Sequence, residues 1–296
     1  MEILHKNGLR PLPFDERDLK LGNVFDMGSV EDLPEGNFIV GSILIKDQRG
    51  TDFCTGYSVS SVSASQEGED LSPEFQFGVT KDLSGDDEWG ADLRMACQSA
   101  VKVGSIPQKI WDSVFGEDSH YNREIVINRK AYPKEWDELA SVYKKKTFWA
   151  VTGPGDHFDN IRLALWKNKD EHCEVVTGAM WRQSWTRAIG GIIKKAGSEE
   201  GSGHAFCIVG QKIIEGQPFL VARLSNGKNY GNDGLFYFSR GVVNKELARF
   251  GFFMFKDMEK ETARVLNDSK TQETPTTKRI AQLIALIKKI WIAMKS

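Results

Sequence analysis

Cysteine is scarce in this chain, with four residues (Cys54, Cys97, Cys173 and Cys207) in 296. So few thiols over such a length predict no disulfide framework. With no CxxC pair and no Cys/His cluster, they also point away from structural zinc. No charge of one sign dominates: 39 Lys and Arg face 41 Asp and Glu, for a net charge of -2. A global electrostatic reason to expect nucleic acid or an acidic ligand is therefore missing. No uninterrupted apolar run reaches about 18 residues, so a standard helical membrane span is not expected. The opening residues MEILHKNG hold no apolar core of signal-peptide length. A reducing, cytoplasmic setting follows as the expectation, meaning host cytoplasm or virion if the chain is viral. No internal repeat is present.

What is there reads as a globular protein. Hydrophobic residues make up 40% and charged residues 27%, enough apolar side chain for a full-sized core. Residues 1–256 alternate apolar segments with Gly-, Asp- and Asn-rich turns and form one expected domain. Residues 257–278 turn polar around Pro275, as in a flexible linker. Residues 279–296, RIAQLIALIKKIWIAMKS, read as a separate amphipathic helix.

Within the first region, helical spacing predicts a helix from Cys54 through CTGYSVSSVSASQEG, with Thr51 and Asp52 as caps. A second helix is expected over ADLRMACQSAVKVG, with Gly104 as its stop. A third is expected over FDNIRLALWKN, starting near Asp159 or Asn160. The later half switches to strands: 173–180, 204–210, 219–224 and 234–238 are rich in β-branched or aromatic residues and bounded by Gly and Asn. Helices first and antiparallel strands later read as α+β, a helical lobe facing a β lobe with a cleft between them.

The segment IKDQRGTDFCTGYS carries the chemistry. A cysteine at the start of a helix, Cys54, sees the positive end of the helix dipole, which favours thiolate. Gln48, six residues earlier, is placed to offer a side-chain N–H to a developing oxyanion beside the Cys54 N–H. Of the five histidines, His204 heads an apolar strand in GSGHAFCIVG, where an imidazole is held rigidly enough to share a proton with sulfur. Asp52 is expected to raise the Cys54 pKa unless it faces solvent or caps the helix. Cys97, Cys173 and Cys207 sit among apolar residues as core thiols. His120, His157 and His172 fall in polar loops and are expected to be solvated. Gly227, Gly231 and Gly234 suit turns of positive φ. Trp181 and Trp185 either line the cleft or pack it, with packing favoured.

Taken together, residues 10 to 256 resemble the papain family of cysteine peptidases. The pair Gln48 and Cys54 is similar to that family's oxyanion glutamine and nucleophile. DLSPEF resembles its Leu-Ser motif, GHAFCIVG its histidine strand, and SNGKNYGNDGLFYFSR its Asn-Ser-Trp-Gly block. The separation of 150 positions from Cys54 to His204 agrees with the family's spacing. Aligning the glycines without gaps puts Leu224 where the orienting asparagine stands and Asn226 where the covering tryptophan stands. A shift by one pleat makes Asn226 the orienting residue. RPLPFDERDLKLG resembles the start of propeptide-less bacterial and phage members. The resemblance implies a papain-like two-lobe fold, a polypeptide substrate, a thiolate mechanism through Cys54, His204, Gln48 and Asn226, and no metal or organic cofactor.

Two rivals remain. One is a catalytically impaired papain-fold component of a phage virion or other large assembly. The other is an acyltransferase or transglutaminase using the same dyad. In the C-terminal segment, Ile280, Ile284, Ile287, Trp291 and Met294 step by 4 and 3 as a heptad seam, with five basic residues and no acid over 278–296. Self-association or partner docking through 279–296 is the favoured role, with membrane-surface binding and docking on its own domain as alternatives.

Overall fold

The computed structural model describes residues 8–256 apart from 12–14 and 17. The described residues belong to one compact unit that ends at Lys256. The linker and the amphipathic helix expected over 257–296 lie outside the described residues.

The helical part opens with α1, Cys54–Glu67. Neither Thr51 nor Asp52 caps it, contrary to expectation. Phe53 is the N-cap, with no side-chain hydrogen bond, because Thr51 Oγ1 donates to Gln48 O and the Asp52 carboxylate is drawn to Gly90. Gly68, at φ 67°, ends the helix in the left-handed conformation that lacks a Cβ penalty. The nine buried residues of α1 lie on every side of it, which explains its run of Gly and Ser. A Cβ at Gly56 would press on Pro73 O and Phe77, so only glycine lets the next helix approach. That helix, α2, spans Pro73–Ser84, with Ser72 as a capping acceptor and proline at its first position. Helix α3 runs over Leu93–Lys102 behind the Asp92 cap, and α4 over Gln108–Phe115. Phe53, Phe75, Phe77, Trp111, Tyr132 and Trp136 form the aromatic core of this lobe.

The β part is one eight-stranded sheet. Its strands are β1 Phe38–Ile39, β2 Phe148–Ala150, β3 Val175–Trp181, β4 Ile192–Ile193, β5 Ser202–Ile214, β6 Gln217–Arg223, β7 Leu235–Phe238 and β8 Phe253–Phe255. They are ordered β2-β8-β3-β5-β6-β7-β4, with β1 also pairing β5. Every pairing is antiparallel except β4 with β7. The expected α+β class is what the chain adopts. Helix α5, His157–Lys167, starts earlier than the sequence suggested because Asp156, not Asp159 or Asn160, accepts from the Asp159 N–H.

The pleat of β5 divides the core. Ala205, Cys207 and Val209 join Cys54, Leu93 and Cys97 on the side facing α1 and α3. Phe206 and Ile208 join Trp181, Leu224, Phe236 and Phe238 on the other. The sheet thus packs on α1 through alternate residues of the strand that carries His204.

Candidate active site

Cys54 opens α1 and is fully buried. Its sulfur meets the backbone N–H groups of Ala205 and Gly8, and it sits near the Asp52 charge. Burial is the largest influence and pushes the thiol up to about 12, and Asp52 adds to the rise. The helix-start expectation of a lowered pKa is therefore reversed in this state, because desolvation outweighs the dipole. Cys173 and Cys207 are likewise pushed up to about 12 by burial, as core thiols should be.

His204 is buried on β5, opposite Ala179 of β3. The indole of Trp181 meets its ring edge-on, with centroids 5.8 Å apart, and Phe206 lies 6.4 Å away. Trp181 also packs against Trp185 and Phe236 while its N–H donates to Thr186 Oγ1. Packing is thus the role of both tryptophans, and Trp181 in addition abuts the imidazole. His120 is not simply solvated, since its Nε2 lies 2.6 Å from Asp112 Oδ1.

Gln48 is buried and doubly anchored. Its Nε2 donates to Thr51 O at 2.8 Å, and its Oε1 accepts from Ser225 Oγ at 2.6 Å. Leu224 is a core residue, packed in the cluster that holds Phe206. Asn226 makes an antiparallel bridge with Asp47, and its buried Oδ1 accepts no hydrogen bond. The last β5–β6 pair is Cys207 with Arg223. Beyond it Leu224 N donates to Gly234 O, Ser225 O accepts from Gln48 N and Asn226 pairs with Asp47. Gly227, Gly231 and Gly234 have positive φ, as the turn chemistry required.

A short piece of the chain's own N-terminal region runs beside Cys54. Leu9 N donates to Gly203 O at 2.8 Å, on the sheet side. Arg10 N donates to Ala91 O at 3.0 Å, and Ala91 N donates to Gly8 O at 2.7 Å, on the helical side. The Leu9 side chain is buried against Gly178, where a Cβ would overlap it. Arg10 closes the strap with ion pairs to Asp86 and Glu88. The groove between the two lobes therefore holds an extended peptide bonded through its backbone to both walls.

No family model and no curated protein matches this chain. Among solved structures, the cysteine protease xylellain from Xylella fastidiosa superposes with a TM-score of 0.67 at 18% identity. The match covers 86% of this chain and 97% of that one. ProCathepsin B S9 from Trypanosoma congolense gives 0.56 at 14% identity, over 86% and 87%. Bromelain from Ananas comosus, in complex with the E64 inhibitor, gives 0.54 at 13% identity, over 77% and 100%. The fold is papain-like.

Within this papain-like fold, three features escaped the sequence reading. Ser225 anchors Gln48, residues 8–10 line the groove, and Asp52 reaches across to Gly90. The first was legible only as the neighbour of Asn226. The second had no signal beyond the proline at position 11. The third was read as an electrostatic burden on Cys54, and its partner lies 38 residues away.

Proposed function

We propose that this chain is a cysteine peptidase. Cys54, as thiolate, attacks the carbonyl carbon of a bound polypeptide. The C–N bond then breaks, and the amine leaves with the proton carried by His204. Water, deprotonated by the same imidazole, cleaves the thioester and returns the thiol. The second Gln48 Nε2 hydrogen and the Cys54 N–H stabilise the oxyanion. Asn226 orients the imidazole, a role suited to a buried carbonyl oxygen that has no donor.

The observation that carries this reading is the stretch at 8–10, whose Leu9 bridges Ala91. A polypeptide already lies in the groove, with its backbone bonded to Ala91 and Gly203, beside the sulfur. It offers the sulfur an N–H and not a carbonyl carbon, so it occupies the site without being positioned for attack. Substrate hydrolysis requires that these residues withdraw.

The rival reading, a papain-fold structural component of a larger assembly, draws on the sealed, neutral Cys54 and on Leu224 lying in the core. Incubation of the full chain with fluorogenic peptides and an epoxide probe separates the two. The peptidase reading expects turnover and labelling of Cys54, both lost in His204→Ala. Labelling of Cys54 no faster than of Cys97, with or without His204, would defeat it. Amine acceptors added to the same assay distinguish hydrolysis from acyl transfer by product mass.

A further inference from the structure

The wall that bonds residues 8 and 10 is not a regular strand. It is the end of a loop, GDDEWGA over 85–91, which joins α2 to α3 and carries three consecutive acids. Such a loop repels itself, yet Ala91 must hold its N–H and its C=O at fixed positions to pair with a peptide.

Charged side chains hold the loop from below. Asp52 is fully buried, and its Oδ2 accepts from Gly90 N at 2.7 Å and from Arg123 Nε at 3.1 Å. Arg123 then donates through a terminal nitrogen to Asp87 O at 2.9 Å and Glu88 O at 2.8 Å. Lys81, also buried, donates to Glu88 O at 2.8 Å and Gly90 O at 2.9 Å, and pairs with Asp86. The carbonyls of residues 87, 88 and 90 and the Gly90 N–H are all met from beneath, which leaves Ala91 turned towards the groove. Gly90, at φ 76°, allows the close approach, since a Cβ there would overlap Gly8 O.

A carboxylate at position 52 also opposes thiolate formation at Cys54. Its second oxygen, Oδ1, is buried without a partner. Neither fact suits a residue that serves Cys54 or merely fills space. Both suit one whose task is to hold the Gly90–Ala91 edge from the loop before α1.

We propose that Asp52 and Arg123 are positioning residues that fix the Gly90–Ala91 edge for backbone pairing with the substrate polypeptide. This rests on the peptidase reading for the identity of the occupant. The rigidity of the edge itself is independent of catalysis.

The test measures amide hydrogen exchange in the full chain, comparing wild type with Arg123→Gln, Arg123→Lys and Asp52→Asn. Arg123 is one-quarter exposed and Asp52 is buried, so the Arg123 variants carry the test if Asp52→Asn does not fold. Exchange at Ala91 and Arg10 is expected to quicken about tenfold in Arg123→Gln, the scale of losing a charge-assisted hydrogen bond, and less in Arg123→Lys. Leu9, bonded to the other wall, should change much less. Peptide hydrolysis should show KM raised more than kcat is lowered. Unchanged exchange at Ala91 in a folded Arg123→Gln, or equal acceleration at Leu9 and at Ala91, overturns the proposal. If wild type cleaves no peptide while exchange responds as described, the edge assignment stands and only the peptidase reading fails.

Discussion

Ser225 grips Gln48 twice. The Gln48 N–H donates to Ser225 O at 2.7 Å, and the Ser225 hydroxyl donates to Gln48 Oε1 at 2.6 Å. With Thr51 O accepting one hydrogen of Nε2, the amide plane is set and one N–H is left over.

That arrangement makes Gln48 and Ser225 separable by mutation. Gln48→Ala is expected to lower kcat on a fluorogenic peptide by about 10²-fold, the usual loss for one oxyanion donor. Ser225→Ala leaves Gln48 Oε1 buried without a donor and allows the amide to turn. A smaller fall in kcat, about tenfold, is expected with KM nearly unchanged.

The strap over Cys54 governs access to the sulfur. Arg10→Gln removes its ion pairs with Asp86 and Glu88. These pairs are partly exposed, so each contributes only about 0.2–1 kcal/mol. Alkylation of Cys54 by iodoacetamide is expected to rise a few-fold in this variant, and more when residues 8–11 are deleted. Buried Cys97 and Cys207 serve as internal references. Equal labelling of all the cysteines in the deleted form would contradict the strap.

A side chain at Gly90 attacks the same closure from the other wall. Gly90→Ala places a Cβ against Gly8 O in a backbone conformation that disfavours one, so a loss of about 1 kcal/mol or more is expected. Chemical denaturation measures the loss. Raised Cys54 labelling at denaturant levels well below the midpoint would show the strap leaving first.

Glu174 supplies a pH signature. It is buried against Arg223, with Ser65 and the Ser42 N–H also donating to it. Desolvation outweighs these partners and lifts it from 4.5 to about 7. A carboxyl with a folded pKa above its unfolded one binds more protons when native, so stability falls as pH rises between those two values. The melting temperature of wild type is expected to decline from pH 4.5 towards 7, and Glu174→Gln should flatten that slope. A wild-type slope of opposite sign, unaltered in the variant, would refute the assignment.

Much of the scaffold could be read from local pattern. Cys54 at a helix start, the stop of α3 near Gly104, the β5 run and the positive-φ glycines all depend on neighbours within a few residues. The errors were local competitions lost to distant partners. Asp52 looked like a cap, but Gly90 and Arg123 captured its carboxylate. Leu224, which the ungapped alignment set where the orienting asparagine stands, packs in the apolar cluster with Phe206.

From its sequence alone the chain determined its α+β class, the helix that begins at Cys54 and the strand that carries His204. Periodicity, capping and turn chemistry act over short separations and leave their marks in order along the chain. Only the tertiary structure decided that residues 8–10 lie in the groove, that Ser225 fixes Gln48 and that Cys54 is sealed from water. Burial and charge capture depend on what arrives from far along the chain. Whether a thiol is desolvated to a pKa of about 12 is set by the whole packed surround, not by the residues beside it.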